Sequence, residues 1–223
     1  MWYYYGAKLK LVDKYPKPAY KTLIEPFAGS AQYSLKYWDN DVILVDKYNV
    51  VARLWKWLQL CSEKDILSLP VVGIDQTVDD FTWDCDEAKW LVGFNLVMGS
   101  PVPRRNPTKW TTTERPHRQF AKLKLIADSL YKIRHWVIIN GDYQCVNNIK
   151  ATWFIDPPYM VGGGIYRHAH IDYVGLADWT NSRMGEIIVC GNADDTWLDF
   201  KPLATLSGVS RVTKEAIVHR VSD

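Results

Sequence analysis

The chain of 223 residues contains no apolar run of membrane-spanning length, so nothing in its pattern asks for a bilayer. After Met1-Trp2-Tyr3-Tyr4-Tyr5-Gly6 there is no basic region leading into an apolar stretch, and no secretory leader is expected. Cys61, Cys85, Cys145 and Cys190 are scattered and never show Cys-x-x-Cys spacing. That excludes the usual thiolate metal and redox motifs and leaves reduced, mostly buried thiols of a cytosolic protein as the expectation. Net charge is only +2, so total charge selects no class of partner. No internal repeat or low-complexity tail is present. His168 and His170 would supply two metal ligands without a third, and no metal is expected.

What the chain does have is ordinary globular composition, 48% hydrophobic and 23% charged, at a length that suits one α/β domain with an insertion. Its 11 Trp and 13 Tyr exceed what packing needs, so some are expected to stack on a ligand or on bases. Charge is segregated along the sequence. Acids dominate residues 61–90, whereas 101–135 carries Arg104, Arg105, Lys109, Arg115, Arg118, Lys122, Lys124, Lys132 and Arg134 against Glu114 and Asp128. Such a basic block suits phosphate contact, and a solvated face with helix ion pairs is the plainer alternative.

A short buried strand, Thr22-Leu23-Ile24, runs into Glu25-Pro26-Phe27-Ala28-Gly29-Ser30, and a helix is expected over 31–38. Strand, small-residue turn and helix form the first half of a nucleotide-binding βαβ unit. Gly29 would let backbone approach a ligand closely. A second strand, Val42-Ile43-Leu44-Val45, ends at Asp46, placed about 20 residues past the glycine turn to accept hydrogen bonds from ribose hydroxyls. Asn49 is expected to cap a helix over 50–60. The turn lacks the full Gly-x-Gly-x-x-Gly pattern, so its meaning depends on Asp46.

Residues 64–84 read as irregular, 86–98 as a helix, 99–113 as a basic, hydroxyl-rich loop, and 115–133 as a further helix. Strands are expected again over 136–139, 151–155 and 186–190, a helix over 172–183, and a closing antiparallel pair near the end. The fold expected is therefore α/β, with a small, mostly helical insertion at 63–133 dividing a domain made of 1–62 and 134–223.

The strand over 151–155 ends in Asp156-Pro157-Pro158-Tyr159, followed by Gly162-Gly163-Gly164. Two prolines fix φ and remove two backbone donors, leaving a stiff platform that presents a carboxylate, a free carbonyl and an aromatic face. In an open α/β sheet that end of a strand is where ligands bind. Asp156 and the Pro157 carbonyl are thereby two candidate acceptors, at roughly 1.5–3 kcal/mol per hydrogen bond to a charged partner. The triple glycine reads as the hinge of a mobile loop carrying Tyr166, Arg167, His168 and His170.

In their order, Tyr4-Tyr5-Gly6-Ala7-Lys8, Glu25-Pro26-Phe27-Ala28-Gly29-Ser30 and Asp156-Pro157-Pro158-Tyr159 resemble the Dam-like DNA adenine-N6 methyltransferases, with Gly141-Asp142-Tyr143 and Ile188-Val189-Cys190-Gly191-Asn192-Ala193 adding to the likeness. The resemblance covers both flanking parts, whereas the insertion matches in position only.

It implies a Rossmann-like methyltransferase sheet with helices on both faces, S-adenosylmethionine as methyl donor, and DNA as substrate. Tyr4, Gly6, Ala7, Lys8, Glu25, Pro26, Phe27, Ala28, Gly29, Ser30, Asp46, Asp142 and Tyr143 would hold the donor. Asp156, Pro157, Pro158 and Tyr159 would act on a flipped-out adenine, with Tyr159 stacking on it. Arg104, Arg105, Lys109, Arg115, Arg118, Tyr166 and Arg167 would contact DNA. A monomer or weak dimer in the cytoplasm of a bacterial cell or a phage-infected host, acting in restriction-modification, would follow. Two departures, Ala31 in place of the family's second turn glycine and Ala7 in Gly6-Ala7-Lys8, are expected to weaken or shift donor binding. Methylation of RNA, or a catalytically silent nucleic-acid-binding module, are the alternatives.

Overall fold

The computed structural model describes residues 1–109, 111–112, 117–207 and 212–221. In chain order its elements are β1 (Thr22–Glu25), α1 (Gln32–Lys36), β2 (Asp41–Asp46), α2 (Asn49–Leu60), α3 (Glu63–Leu67), α4 (Asp86–Asn95), α5 (His117–Ala127), β3 (Val137–Asn140), β4 (Ala151–Ile155), α6 (Tyr173–Asn181), β5 (Gly185–Asn192), β6 (Lys201–Ser207) and β7 (Val212–Val221). The strands form one seven-stranded sheet in the order β3-β2-β1-β4-β5-β7-β6. Every pairing from β3 to β5 is parallel, and only β7, wedged between β5 and β6, runs against its neighbours.

Alternation along the strands explains the layering. Leu23, Leu44, Phe154 and Ile188 point to one face, where they pack with Leu54, Trp55 and Leu58 of α2. Ile24, Val45, Trp153, Ile155 and Val189 point to the other, toward Trp179 of α6 and Trp197. All five residues of β4 are buried, as a strand covered on both faces requires. Each large apolar side chain fully buried here is worth about 1.5–3 kcal/mol of transfer free energy.

The segment over 63–133 adds helices to the first face. Ile66, Leu91, Phe94, Leu123, Ile126 and Ile133 join the same apolar cluster as Leu23 and Leu54, and Val72, Val78, Val92 and Leu96 form a smaller cluster beyond it. The amide of Gln119 closes the region by bonding both backbone groups of Val72, at 3.0 and 2.9 Å.

Two helix starts differ from expectation. Ala31 is not helical but left-handed, with φ 44° and ψ 50°, so α1 begins one residue later and runs only to Lys36. At α2 the cap position belongs to Tyr48 rather than Asn49, and its N–H is bonded by the Asp46 side chain at 2.8 Å. Among the described residues no helix is long and apolar enough to cross a membrane. All four cysteines are free thiols, Cys61 and Cys190 buried, Cys145 exposed.

Candidate functional site

The chain leaves β1 toward β2 and β3 on one side, then returns to β4 on the other, so β1 and β4 flank the point where strand order reverses. Ligands of open α/β sheets bind at this switch point. Here a cavity of about 310 Å³ opens at the carboxyl ends of β1, β2 and β4. Its size lies in the range of small-molecule sites.

The wall at β1 is built by hydrogen bonding inside the turn. Ala28 N–H donates to the Val45 carbonyl at 2.9 Å, and Gly29 N–H donates to Asp46 Oδ2 at 2.9 Å. The Trp55 indole N–H donates to the Gly29 carbonyl at 2.9 Å. Gly29 has φ +45°, and a Cβ there would sit 3.0 Å from the Tyr4 ring, so the glycine is required by backbone shape and by space. Asp46 thus braces the turn with one oxygen and the start of α2 with the other. Burial lifts its carboxyl to about 6, although the hydrogen bonds from Gly29 and Tyr48 work the opposite way. Glu25, at the end of β1, is buried and accepts from Ser34 N–H at 2.7 Å. Burial dominates its titration and pushes it up to about 8.

Every residue expected to hold a donor lines this one cavity: Tyr4, Gly6, Ala7, Lys8, Glu25 to Ser30, Asp46, Asp142 and Tyr143. Asp142 caps a short 3-10 turn, accepting from Gln144 N–H at 3.3 Å, and pairs with Lys47 at 2.9 Å. Tyr143 stacks on Phe27 with ring centroids 5.3 Å apart.

Asp156 opens onto the same cavity from the end of β4. Its Oδ1 lies 2.8 Å from the Nζ of Lys8, a buried lysine whose ammonium also donates to the Gly6 carbonyl at 3.1 Å and sits 4.9 Å above the Tyr159 ring. Burial acts against the charge on Lys8, but the carboxylates Asp156 and Glu215 outweigh it and hold the lysine above its ordinary range. Burial raises the Asp156 carboxyl, with Lys8 opposing.

Pro158 also lines the cavity, and its carbonyl accepts from the Tyr173 hydroxyl at 2.8 Å. Pro157 is buried, and neither it nor Tyr159 is among the lining residues. The Tyr159 hydroxyl donates instead to Glu215 Oε2 at 2.6 Å. Glu215 was not singled out from the sequence, where it stands two residues before Ile217 on β7 and 56 residues from its partner Tyr159.

The glycine run does not behave as one hinge. Gly163 N–H donates to the Tyr159 carbonyl at 3.1 Å, and a Cβ on Gly163 would lie 2.5 Å from the Tyr159 nitrogen. Asp195 fastens the same loop, accepting from Val161 N–H at 2.9 Å and Asn192 N–H at 3.0 Å. The loop then returns across the cavity mouth, where the Tyr166 hydroxyl donates to the Tyr5 carbonyl at 3.2 Å. Tyr166, Arg167, His168 and His170 therefore line this same cavity, whereas the sequence reading sets Tyr166 and Arg167 against DNA. Among the described residues no three metal-binding side chains converge.

The basic residues lie elsewhere. Arg104 and Arg105 border a second hollow of about 440 Å³ that shares Tyr48 with the first cavity. Arg104 and Lys109 are exposed. Arg105 pairs with Asp79 at 2.6 Å, so part of the acidic block offsets part of the basic one. Arg118 donates to the Met98 sulfur at 3.1 Å, and Arg115 lies outside the described residues. No family model matches the chain, and a search of the curated proteins finds no match either.

Proposed function

We propose that the chain is a DNA adenine-N6 methyltransferase that uses S-adenosylmethionine. The observation that carries this reading is that the Asp156 carboxylate and the Gly29–Asp46 turn face one cavity at the switch point of the sheet. A site for transferring a group between two ligands needs both in one enclosure, aligned.

The residues fit such a donor. Gly29 leaves its backbone bare where a Cβ would crowd Tyr4, and Asp46 and Asp142 put carboxylates on the β2 and β3 side of the cavity. Tyr4, Gly6, Tyr143 and the turn would hold it. When bound, S-adenosylmethionine supplies a methyl group on a sulfonium, already activated for displacement. The protein's own work is alignment and polarisation. Asp156 accepts a hydrogen from the adenine amino group, drawing the lone pair out of the ring toward the methyl. The bound donor would supply the carbon of the new nitrogen–carbon bond and leave as the thioether, and Asp156 would take up the amino proton. Arg104 and Lys109, exposed on the inserted segment, supply phosphate contacts.

The test is labelled methyl transfer from S-adenosylmethionine to unmethylated duplex DNA and, in parallel, to structured RNA. Label in N6-methyladenine of DNA is expected. Label only in RNA would move the reading to the RNA enzyme. The Lys8–Asp156 pair favours one other reading, a silent module, because it engages the carboxylate. Absence of label from both nucleic acids, with no heat of binding for the donor, would leave that module.

A further inference from the structure

Lys8 lies where two of the site's own groups are needed. It holds Asp156 at 2.8 Å and covers the Tyr159 ring at 4.9 Å, the carboxylate and the aromatic that an adenine would engage. If the amino proton passes to Asp156, that carboxyl loses its charge, and an ammonium with only 7% of its side chain exposed loses its counter-charge. A buried cation left unpaired is strongly unfavourable. Glu215 is the group placed to receive it. It is 6% exposed, it reaches the site from β7, and it accepts the Tyr159 hydroxyl at 2.6 Å, so it sits at the far end of the same ring that Lys8 covers. Lys8 is also the strongest influence acting to keep the Glu215 carboxyl from rising further, burial being the cause of its rise.

We infer that Glu215 is a positioning residue of this site: it fixes Tyr159 through the hydroxyl and gives Lys8 a second carboxylate, freeing Asp156 for the amino group of the base. The inference rests on the methyltransferase reading. The charged or titratable groups that surround Asp156 are Lys8 on the N-terminal loop, Glu25 on β1, Tyr159 and Tyr166 on the following loop, and Glu215 on β7. Tyr15 and Cys190 complete the ring and stay protonated, burial raising both.

The test compares wild type with Glu215→Gln, which keeps an acceptor for Tyr159 but removes the charge, and with Tyr159→Phe, which keeps the ring but removes the hydroxyl. Glu215→Gln is expected to lower kcat at least tenfold with the dissociation constant of S-adenosylmethionine within about threefold of wild type. Removing a negative charge lowers the Asp156 carboxyl, so the acid limb of the kcat profile moves to lower pH. The double variant is expected to fall no further than Glu215→Gln alone. If wild type methylates DNA while Glu215→Gln matches it in kcat and in acid limb, Glu215 has no such role. Losses that multiply in the double variant also overturn the coupling to Tyr159. A folded wild type that transfers no methyl at all defeats the methyltransferase reading itself, a different result.

Discussion

Lys8 Nζ and Asp156 Oδ1 are 2.8 Å apart across 148 positions of sequence, joining the N-terminal loop to the end of β4. Because the lysine is buried and four-fifths of the Asp156 side chain is too, this pair differs from a surface ion pair. Lys8→Met strands the carboxylate and is expected to cost about 3–5 kcal/mol at pH 7. Without the lysine the folded Asp156 carboxyl rises further above its unfolded value. Stability relative to wild type then falls as pH climbs through that window and recovers below it. Urea unfolding at pH 5 and pH 7 checks this; an equal deficit at both would refute it.

Glu25 predicts a second pH effect of the same sign. Its folded carboxyl titrates near 8, above the ordinary 4.5 of an unfolded chain. Between those values the folded state holds a proton that the unfolded state has lost, so stability declines as pH rises from about 5 to 8. Glu25→Gln keeps the acceptor for Ser34 N–H and removes the proton. The variant is expected to match wild type near pH 5 and to exceed it by a few kcal/mol near pH 8.5. Thermal unfolding across that range decides it, with parallel Tm curves as the contrary result.

Gly163 and Gly164 make a paired test of the loop. A Cβ at Gly163 meets the Tyr159 nitrogen at 2.5 Å and the Pro158 carbonyl carbon at 2.9 Å, whereas one at Gly164 meets nothing within 4 Å. Gly163→Ala should displace the Asp156-to-Tyr159 turn and lower the proposed methyl transfer by about a hundredfold, the scale of an ångström of misplacement. Gly164→Ala should stay within about twofold of wild type. Comparable losses in both would restore the picture of a simple flexible hinge.

Ala31 carries backbone strain. A left-handed φ of 44° costs an L-residue about 1–2 kcal/mol, and the site is only 2% exposed. Ala31→Gly relieves that strain but loses a buried methyl and adds chain entropy, so stability should change by less than about 1 kcal/mol. Ala31→Val adds a branched Cβ in the wrong backbone region and should cost more than about 2 kcal/mol. Chemical denaturation of both variants measures the contrast. A tolerated valine would mean the turn is not left-handed.

Much of the sheet was legible because strands buried on both faces read as short apolar runs, as at 151–155, and because Thr22–Glu25 and Asp41–Asp46 end in acids. The order of β6 and β7 was not, since alternation announces an antiparallel pair but not which strand docks on β5. Local capping also misled: Asn49 has the right chemistry, yet Asp46 reaches Tyr48 first because the turn already holds that carboxylate in place. In the triple glycine, permissive backbone and close backbone approach look identical in sequence. Only the proximity of Gly163 to Tyr159 tells them apart. Glu215 escaped notice because its partner lies 56 residues away.

The wedging of β7 between β5 and β6 has a consequence for synthesis. Domains form from their amino end as the chain is made, and every residue lining the first cavity lies at or before Asp172. A nascent chain can therefore enclose that cavity while β5 still has an open edge and β6 has nothing to pair with. Until β7 emerges, the unpaired edge of β5 is a template for wrong strands from neighbouring chains. The same late strand closes that edge and delivers Glu215, so a ribosome-bound chain passes the interval with β5 unpaired before Tyr159 has its anchor.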